Sequence, residues 1–346
     1  MSVRSLLAVF ALLLLAVVPP AIAAEPSRTA VEVHGALAVE DGRVVDARGR
    51  VWSVAGPSLF WGNAGWGDRA ANEPANYFNA EVVSFVQREW NAAIIRIPMG
   101  AETPGGYLED PAGRWQRIQA VADAAIREGM YFIVDWHSHH AEDHPDAAVA
   151  FFERVARRYG DTPNLIYEIY NEPLQDTDWS STIKPYAERV IGAIRRIDPD
   201  NLIIVGTQTW SQDVDKAADD PILGFDNIAY TLHFYAGSHG ESLRAKARYA
   251  LERKLPIVVT EWGAVNATGD GAVDHEATAR WVAFMREYEL THCNWSLHSK
   301  REGASMLTMS ASPRADWDDR SFTESGRLVS EIIRNWHASD YAGRAE

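Results

Sequence analysis

The chain of 346 residues holds one cysteine, Cys293. A single cysteine excludes an internal disulfide, so an exported chain of this kind must be held by its core. Cys293 lies in Leu290-Thr-His-Cys-Asn-Trp-Ser296, a run that reads as a strand and therefore predicts an inert buried thiol. Long apolar runs are nearly absent as well. The longest, Leu6 to Val18, is shorter than the ~20 residues a membrane-spanning helix needs. Basic residues are outnumbered, 33 Lys and Arg against 48 Asp and Glu, for a formal net charge of −15. That balance argues against nucleic acid and anionic membrane surfaces as partners, and a neutral ligand fits it best. It also serves solubility. Gly-x-Ser-x-Gly, Walker and dinucleotide-binding glycine patterns are missing, and so is the ligand spacing of an EF-hand around Asp270-Gly271.

The first residues do carry a signal. Arg4 precedes the apolar run, and Ala21-Ile22-Ala23 follows it as a small-x-small site. Together they read as a secretory leader over residues 1–23, implying a secreted protein, extracellular or periplasmic, that is soluble and monomeric once the leader is removed. Losing Arg4 makes the mature chain slightly more acidic. Residues 24–337 then form one domain and 338–346 a short polar tail.

Within that domain, strand-like and helix-like patterns alternate. Around Asp41-Gly42 and Gly49, alternating apolar residues suggest a small N-terminal β-hairpin. Eight strands are expected at 52–56, 93–98, 131–136, 165–170, 202–205, 228–233, 257–261 and 291–295. Amphipathic stretches lie between them, among them 114–128, 147–159, 186–197, 242–253 and 276–288, with a last helix over 324–336. Eight strands alternating with helices predict an α/β protein, a (β/α)8 or TIM barrel. An open doubly wound sheet gathers its functional residues at one switch point. Here polar residues follow nearly every strand.

Reading those strand ends gives Arg96, His137, Asn171 with Glu172, Trp210, His233 with Tyr235, Glu261 and Trp295. Two carboxylates close separate apolar runs: Glu172 after Leu165–Tyr170 and Glu261 after Pro256–Thr260. In a barrel both would stand on the catalytic face. A carboxyl in an apolar setting keeps its proton, and one held by Arg and Tyr donors stays ionised. That asymmetry suits double displacement at a glycosidic bond. Thirteen Trp residues, several beside Gly, Asn, Ser or Glu, supply flat faces of the kind that hold sugar rings.

The motifs Ser58-Leu-Phe-Trp61, Ile95-Arg96-Ile-Pro-Met-Gly100, Asp135-Trp-His137, Ile166-Tyr-Glu-Ile-Tyr-Asn-Glu-Pro173, Tyr230-Thr-Leu-His-Phe-Tyr-Ala-Gly237, Thr260-Glu-Trp-Gly263 and Asn294-Trp-Ser296 occur in order. In them the chain resembles glycoside hydrolase family 5, specifically its bacterial subfamily 2 endoglucanases (cellulases), from about Val33 to Ile333. The resemblance implies a retaining endo-β-1,4-glucanase acting on cellulose or related β-glucan, without cofactor or catalytic metal. It makes Glu172 the acid/base and Glu261 the nucleophile. Asn171 bonds the sugar 2-hydroxyl, Arg96 and Tyr235 orient the nucleophile, and His137 and His233 bracket the carboxylates. Trp295 becomes the platform at the cleavage point, Trp61 a glycone-side platform and Trp210 an aglycone-side one. Lys300 and Glu302 become glycone contacts, and His239 a cleft histidine.

Pro57, Ile97-Pro98 and His298 depart from that family pattern and bear on subsite strength. Two other readings stand beside it: the same chemistry on mannan, xylan or mixed-linkage glucan, or a non-catalytic glucan-binding protein. The histidines at 137, 139, 140 and 144 have a density that suits zinc or copper. Only His137 ends a strand, however, and the others share a loop with Glu142, Asp143 and Asp146, which favours a solvated or substrate-edge loop.

Overall fold

The computed structural model describes residues 28–61, 63, 77–102 and 104–336; the expected leader and polar tail lie outside them. Two short strands, β1 (Ala38–Glu40) and β2 (Arg43–Val45), form the N-terminal hairpin. Asp41 and Gly42 both take positive φ at its tip, as a tight hairpin turn demands.

Eight strands follow: β3 (Ala55–Leu59), β4 (Ile94–Gly100), β5 (Tyr131–His137), β6 (Leu165–Glu168), β7 (Ile203–Val205), β8 (Ile228–Tyr235), β9 (Ile257–Gly263) and β10 (His292–Leu297). They close into a parallel barrel in which β10 pairs with both β9 and β3. Helices pack outside it, including Ala80–Trp90, Pro111–Arg127, Pro145–Tyr159, Lys184–Arg195, Glu241–Glu252, His275–Glu287 and Glu324–Arg334. Among the described residues no helix is long and apolar enough to cross a membrane.

The strands look uniformly apolar, but a two-residue alternation divides them. Ile95, Ile97, Phe132, Val134, Leu165, Tyr167, Ile203 and Val205 face the helices and build the larger core. Ile94, Ile133, Ile166, Ile204, Ala229, Val258 and Cys293 fill the lower barrel interior as a second cluster. Cys293 is fully buried there, and burial pushes its thiol up, as expected of an inert core residue. One step of the alternation higher, the inward positions become Arg96, Asp135, Glu168 and Thr231. Packing below therefore sets the height at which the chemistry begins.

Two differences from the sequence expectation have physical causes. The first barrel strand is Ala55–Leu59 instead of 52–56. Gly56-Pro57 reads as a breaker, yet the pairing of β3 with β4 is Ser58↔Arg96, so the missing Pro N–H interrupts no ladder there. Trp52 instead bonds the hairpin, its N–H donating to Val44 O at 2.9 Å. The helix Ala80–Trp90 was not expected, although Val82, Val83, Val86 and Trp90 are its buried stripe and Asn79 its cap.

Candidate active site

Arg96 is fully buried in the barrel and forms the centre of the site. Its guanidinium donates from Nε to Glu168 Oε2 at 2.7 Å and from Nη2 to Glu168 Oε1 at 3.1 Å. Nη2 also donates to Asn171 Oδ1 at 2.6 Å and lies 2.8 Å from Asp135 Oδ2, while Nη1 donates to Glu261 Oε2 at 2.9 Å. A planar fork of five donors suits such a crowd of acceptors, and a lysine could not serve them together. Burial pulls the Arg96 pKa down, but the three carboxylates outweigh it and hold it well above its usual value. In return, burial pushes Glu168 up and Arg96 overrides it, to about 2. Asp135, desolvated and sharing that one cation, is shifted well above the carboxylate range.

β9 places Glu261 in the site through a bulge. Between the pairs Thr231↔Val258 and His233↔Glu261, β9 carries one residue more than β8. The insertion lets consecutive residues, Thr260 and Glu261, both point inward. Glu261 Oε1 accepts from Tyr235 Oη at 2.8 Å. At Gly263 a Cβ would overlap the Tyr235 ring, so glycine is what lets that ring lie against β9. Burial and the Glu261 charge hold the Tyr235 hydroxyl protonated, far above its ordinary pKa.

Asn171 and Glu172 lie just past β6, and Asn171 N–H donates to Trp136 O at 3.3 Å and Glu172 N–H to Ser138 O at 3.2 Å. Glu172 Oε1 lies 2.9 Å from His233 Nδ1, and Oε2 lies 3.7 Å from His139 Nδ1. His139 also contacts Glu172 O at 3.0 Å. The loop histidine is therefore part of the cleft edge, the second of the two loop settings considered. Burial pushes the Glu172 carboxyl up, but the His233 bond and the neighbouring imidazoles leave it below its usual value. This departs from the sequence expectation of a raised acid, because the partner of Glu172 is an imidazole and not an apolar ring. Burial pulls His233 down, and Glu261, Glu168 and Glu172 carry it up to about 9. His137, desolvated beside Arg96, drops to about 3; its Nδ1 pairs with Asp135 Oδ2 at 2.8 Å.

One oxygen each of Glu172 and Glu261, with a His233 nitrogen, lie within 4.8 Å of one another. A cleft runs to either side. One arm, of about 330 Å³, is lined by Trp210, Gln212, His233 and His239. The other, of about 290 Å³, is lined by Phe60, Trp61, His137, Trp295, Lys300 and Glu302. Glu172, Tyr235, Glu261 and Ala267 border both. The His137 and Trp295 rings are parallel within 3° at 5.2 Å, and Phe60 and Trp61 stack at 5.9 Å. Lys300 Nζ donates to Glu302 Oε2 at 2.5 Å, and the departure residue His298 meets Glu302 Oε1 at 2.9 Å while stacking on Phe60. The Tyr235 N–H donates to His239 Nδ1 at 2.8 Å, so that nitrogen is an acceptor. Trp210 is 39% exposed at the lip, on three successive residues of positive φ, Thr209 to Ser211. The Trp210 N–H donates to Pro173 O at 2.8 Å and Ser211 Oγ to Asn171 O at 2.7 Å, which holds this strained turn to the β6 extension.

All thirteen site residues expected from the sequence thus border or support one cleft. The model of the cellulase family, glycosyl hydrolase family 5, matches residues 45–301. The chain is a family 5 glycosyl hydrolase.

Its relatives agree with that membership. Endoglucanase Z of Dickeya dadantii is 51% identical over 296 residues, covering 86% of this chain and 66% of that protein. An endoglucanase of Clostridium saccharobutylicum is 42% identical over 261 residues, covering 75% of the chain and 58% of the relative. The family 5 chain thus spans two thirds or less of the length of these two curated relatives. Among solved structures, a Cytophaga hutchinsonii protein superimposes with a TM-score of 0.84 at 43% identity, covering 89% of this chain and 97% of that one. The catalytic domain of a Thermobifida fusca endoglucanase gives 0.81 at 31%, covering 89% and 100%.

Reading strand ends alone missed three residues of this family 5 site. Glu168 is a charge inside an apolar run, which by itself calls for a buried cation. Asp135 shares a strand face with His137, two residues on. Thr260 lies in the Thr260-Glu-Trp-Gly263 motif, but nothing in the sequence aimed it inward, since only the bulge does so.

Proposed function

We propose that the protein is a secreted, retaining endo-β-1,4-glucanase with Glu172 as acid/base and Glu261 as nucleophile. The observation that carries the reading is the pair of carboxylates facing one another across an open cleft, one oxygen of each within 4.8 Å of the other. A retaining pair stands roughly 5–5.5 Å apart, whereas inversion needs about 6.5–9.5 Å to admit a water between. Their surroundings differ. Glu261 accepts hydrogen bonds from Arg96 and Tyr235. Glu172 shares its bond with an imidazole.

In the first step Glu261 attacks the anomeric carbon while Glu172 gives its proton to the departing oxygen, which keeps the bonding electron pair. In the second, Glu172 takes a proton from water, the hydroxide displaces Glu261 at the same carbon, and two inversions restore the configuration. The amide of Asn171, its oxygen held by Arg96, offers its NH2 to the neighbouring sugar hydroxyl. Trp61 and Trp295 on one side and Trp210 on the other flank the scissile position. A variant of the Thermobifida fusca enzyme, 30% identical, was solved with cellotetraose, which supports a β-1,4-glucan chain as the ligand. The leader over 1–23 supports export.

The test is reducing-end release from carboxymethylcellulose, lichenan, mannan and xylan, with proton NMR of the first product. The expected result is preference for the first substrate, β-anomer formed first, and loss of turnover in Glu261→Gln. Preference for mannan or xylan overturns the substrate, an α-anomer formed first overturns the mechanism, and unchanged hydrolysis in the variant overturns the assignment of Glu261.

A further inference from the structure

Beneath the two carboxylates lies a hydrogen-bonded chain with no part in either displacement step. His233 Nε2 lies 2.9 Å from Thr260 Oγ1, and Thr260 Oγ1 lies 2.7 Å from Glu168 Oε1. Thr231 Oγ1 closes on the same hydroxyl. His233 Nδ1 meets Glu172 at 2.9 Å, while Glu168 is bonded twice to Arg96, which bonds Glu261. The acid/base and the nucleophile are thus joined below the sugar through His233, Thr260, Glu168 and Arg96.

A hydroxyl has one proton to donate. Three neighbours compete for that of Thr260, and the Glu168 carboxylate, kept ionised by Arg96, is the strongest acceptor among them. With its proton committed to Glu168, Thr260 can only accept from His233, so Nε2 must carry a hydrogen. Neutral imidazole has one N–H. Nδ1 is then either an acceptor for a protonated Glu172 or, in the imidazolium, a donor to its carboxylate. Either way one proton lies between Nδ1 and Glu172.

We propose that Thr260 and Glu168 are positioning residues that fix the His233 ring proton on Nε2, so that Nδ1 and Glu172 share the single proton used in acid catalysis. In the empty cleft the pair is ionic, with Nδ1–H donating to Glu172. A sugar that covers the pair excludes water and favours its neutral form, in which the proton has passed from Nδ1 to Glu172. That proton then goes to the glycosidic oxygen as the C1–O bond breaks, and the water that opens the glycosyl-enzyme returns one to the pair. Besides Glu172, the titratable groups acting on His233 are Glu168 from β6, Glu261 from β9 and Asp135 from β5. Only the β9 bulge brings the Thr260 hydroxyl into this chain.

The proposal rests on the reading of Glu172 as acid/base, and the two can fail separately. Histidine-tautomer NMR of the unaltered enzyme, without substrate and above pH 9, should find the His233 proton on Nε2; a proton on Nδ1 overturns the proposal. In kinetics, Thr260→Val should lower kcat/KM for cellotetraose about tenfold or more. For 2,4-dinitrophenyl β-cellobioside, whose leaving group needs no proton, the loss should stay within about threefold. The alkaline limb of the cellotetraose profile should move to lower pH, because Nε2–H loses its acceptor, and Thr260→Ser should restore it. Equal losses on both substrates, or no loss on either, overturn the proposal. Glu172→Ala that kept cellotetraose turnover would instead overturn the acid/base reading and leave the tautomer measurement intact.

Discussion

Arg96 reaches Glu261 through Nη1 alone, at 2.9 Å, because its other two nitrogens are committed to Glu168, Asn171 and Asp135. Glu261 is therefore one corner of a larger ion network, and one guanidinium ties three strands and the β6 extension to it.

Arg96→Lys should damage activity and stability together. An ammonium cannot satisfy Glu168 on two oxygens while bonding Glu261, and stranding a buried carboxylate costs about 3–5 kcal/mol. The expected outcome is a fall in kcat on carboxymethylcellulose of about a hundredfold or more, with a melting temperature lower by roughly 6 °C or more. Calorimetry alongside kinetics checks both halves.

Tyr235→Phe should separate them. Only the hydroxyl that donates to Glu261 is removed, and a hydrogen bond to a charged group is worth about 1.5–3 kcal/mol. That corresponds to a kcat lower by roughly 10- to 100-fold, while KM for cellotetraose holds within about twofold of the parent. A rise in KM with unchanged kcat would place the hydroxyl in ground-state binding instead.

Trp210→Ala should leave the fold alone, since that ring is more than one-third exposed. An aromatic platform contributes about 0.5–1.5 kcal/mol beyond its buried area. KM for cellopentaose should rise about two- to tenfold, and the cleavage pattern should shift away from products that occupy that arm. Chromatography of early products shows the shift. An unchanged pattern would remove Trp210 from the cleft's working surface.

Far from the cleft, Asp46 provides a test in pH. Its carboxylate accepts from Arg50 Nε and Nη2, from the Arg48 and Arg50 N–H groups and from His34. Burial pushes it up, but these donors bring it down to about 2 from 3.8. A depressed folded pKa stabilises above the unfolded value, and the contribution, on the order of 2 kcal/mol, is lost as pH falls from about 4 through 2. Asp46→Asn should lower the melting temperature at pH 6 and flatten its fall over that acid window.

Much of this was legible in the chain itself. The eight strands repeat at βα spacing, and the polar residue after each apolar run marks the catalytic face, which is how Glu172, Glu261, His137 and Tyr235 could be read together. Glu168 was legible in principle and overlooked, since an acid within Leu165–Tyr170 has no reason to be there without a buried cation. The helix over Ala80–Trp90 likewise shows its apolar stripe. Trp210 could be placed after the fifth expected strand but not aimed, because the left-handed turn under it is held by Pro173 and Asn171 from another part of the chain.

Periodicity and strand-end chemistry determined the barrel and the pair of carboxylates, because each is a local property of consecutive residues. Only the tertiary structure decided which donor serves which oxygen. Arg96 and Glu168 are 72 positions apart, and Thr260 and Glu168 are 92. One inserted residue in β9 turns Thr260 and Glu261 to the same side, a consequence of pairing with a neighbouring strand that neither residue type announces. The charge states of Glu172 and His233 follow from that convergence, since a pKa is set by what lies within a few ångströms in space and not by what precedes it in the chain.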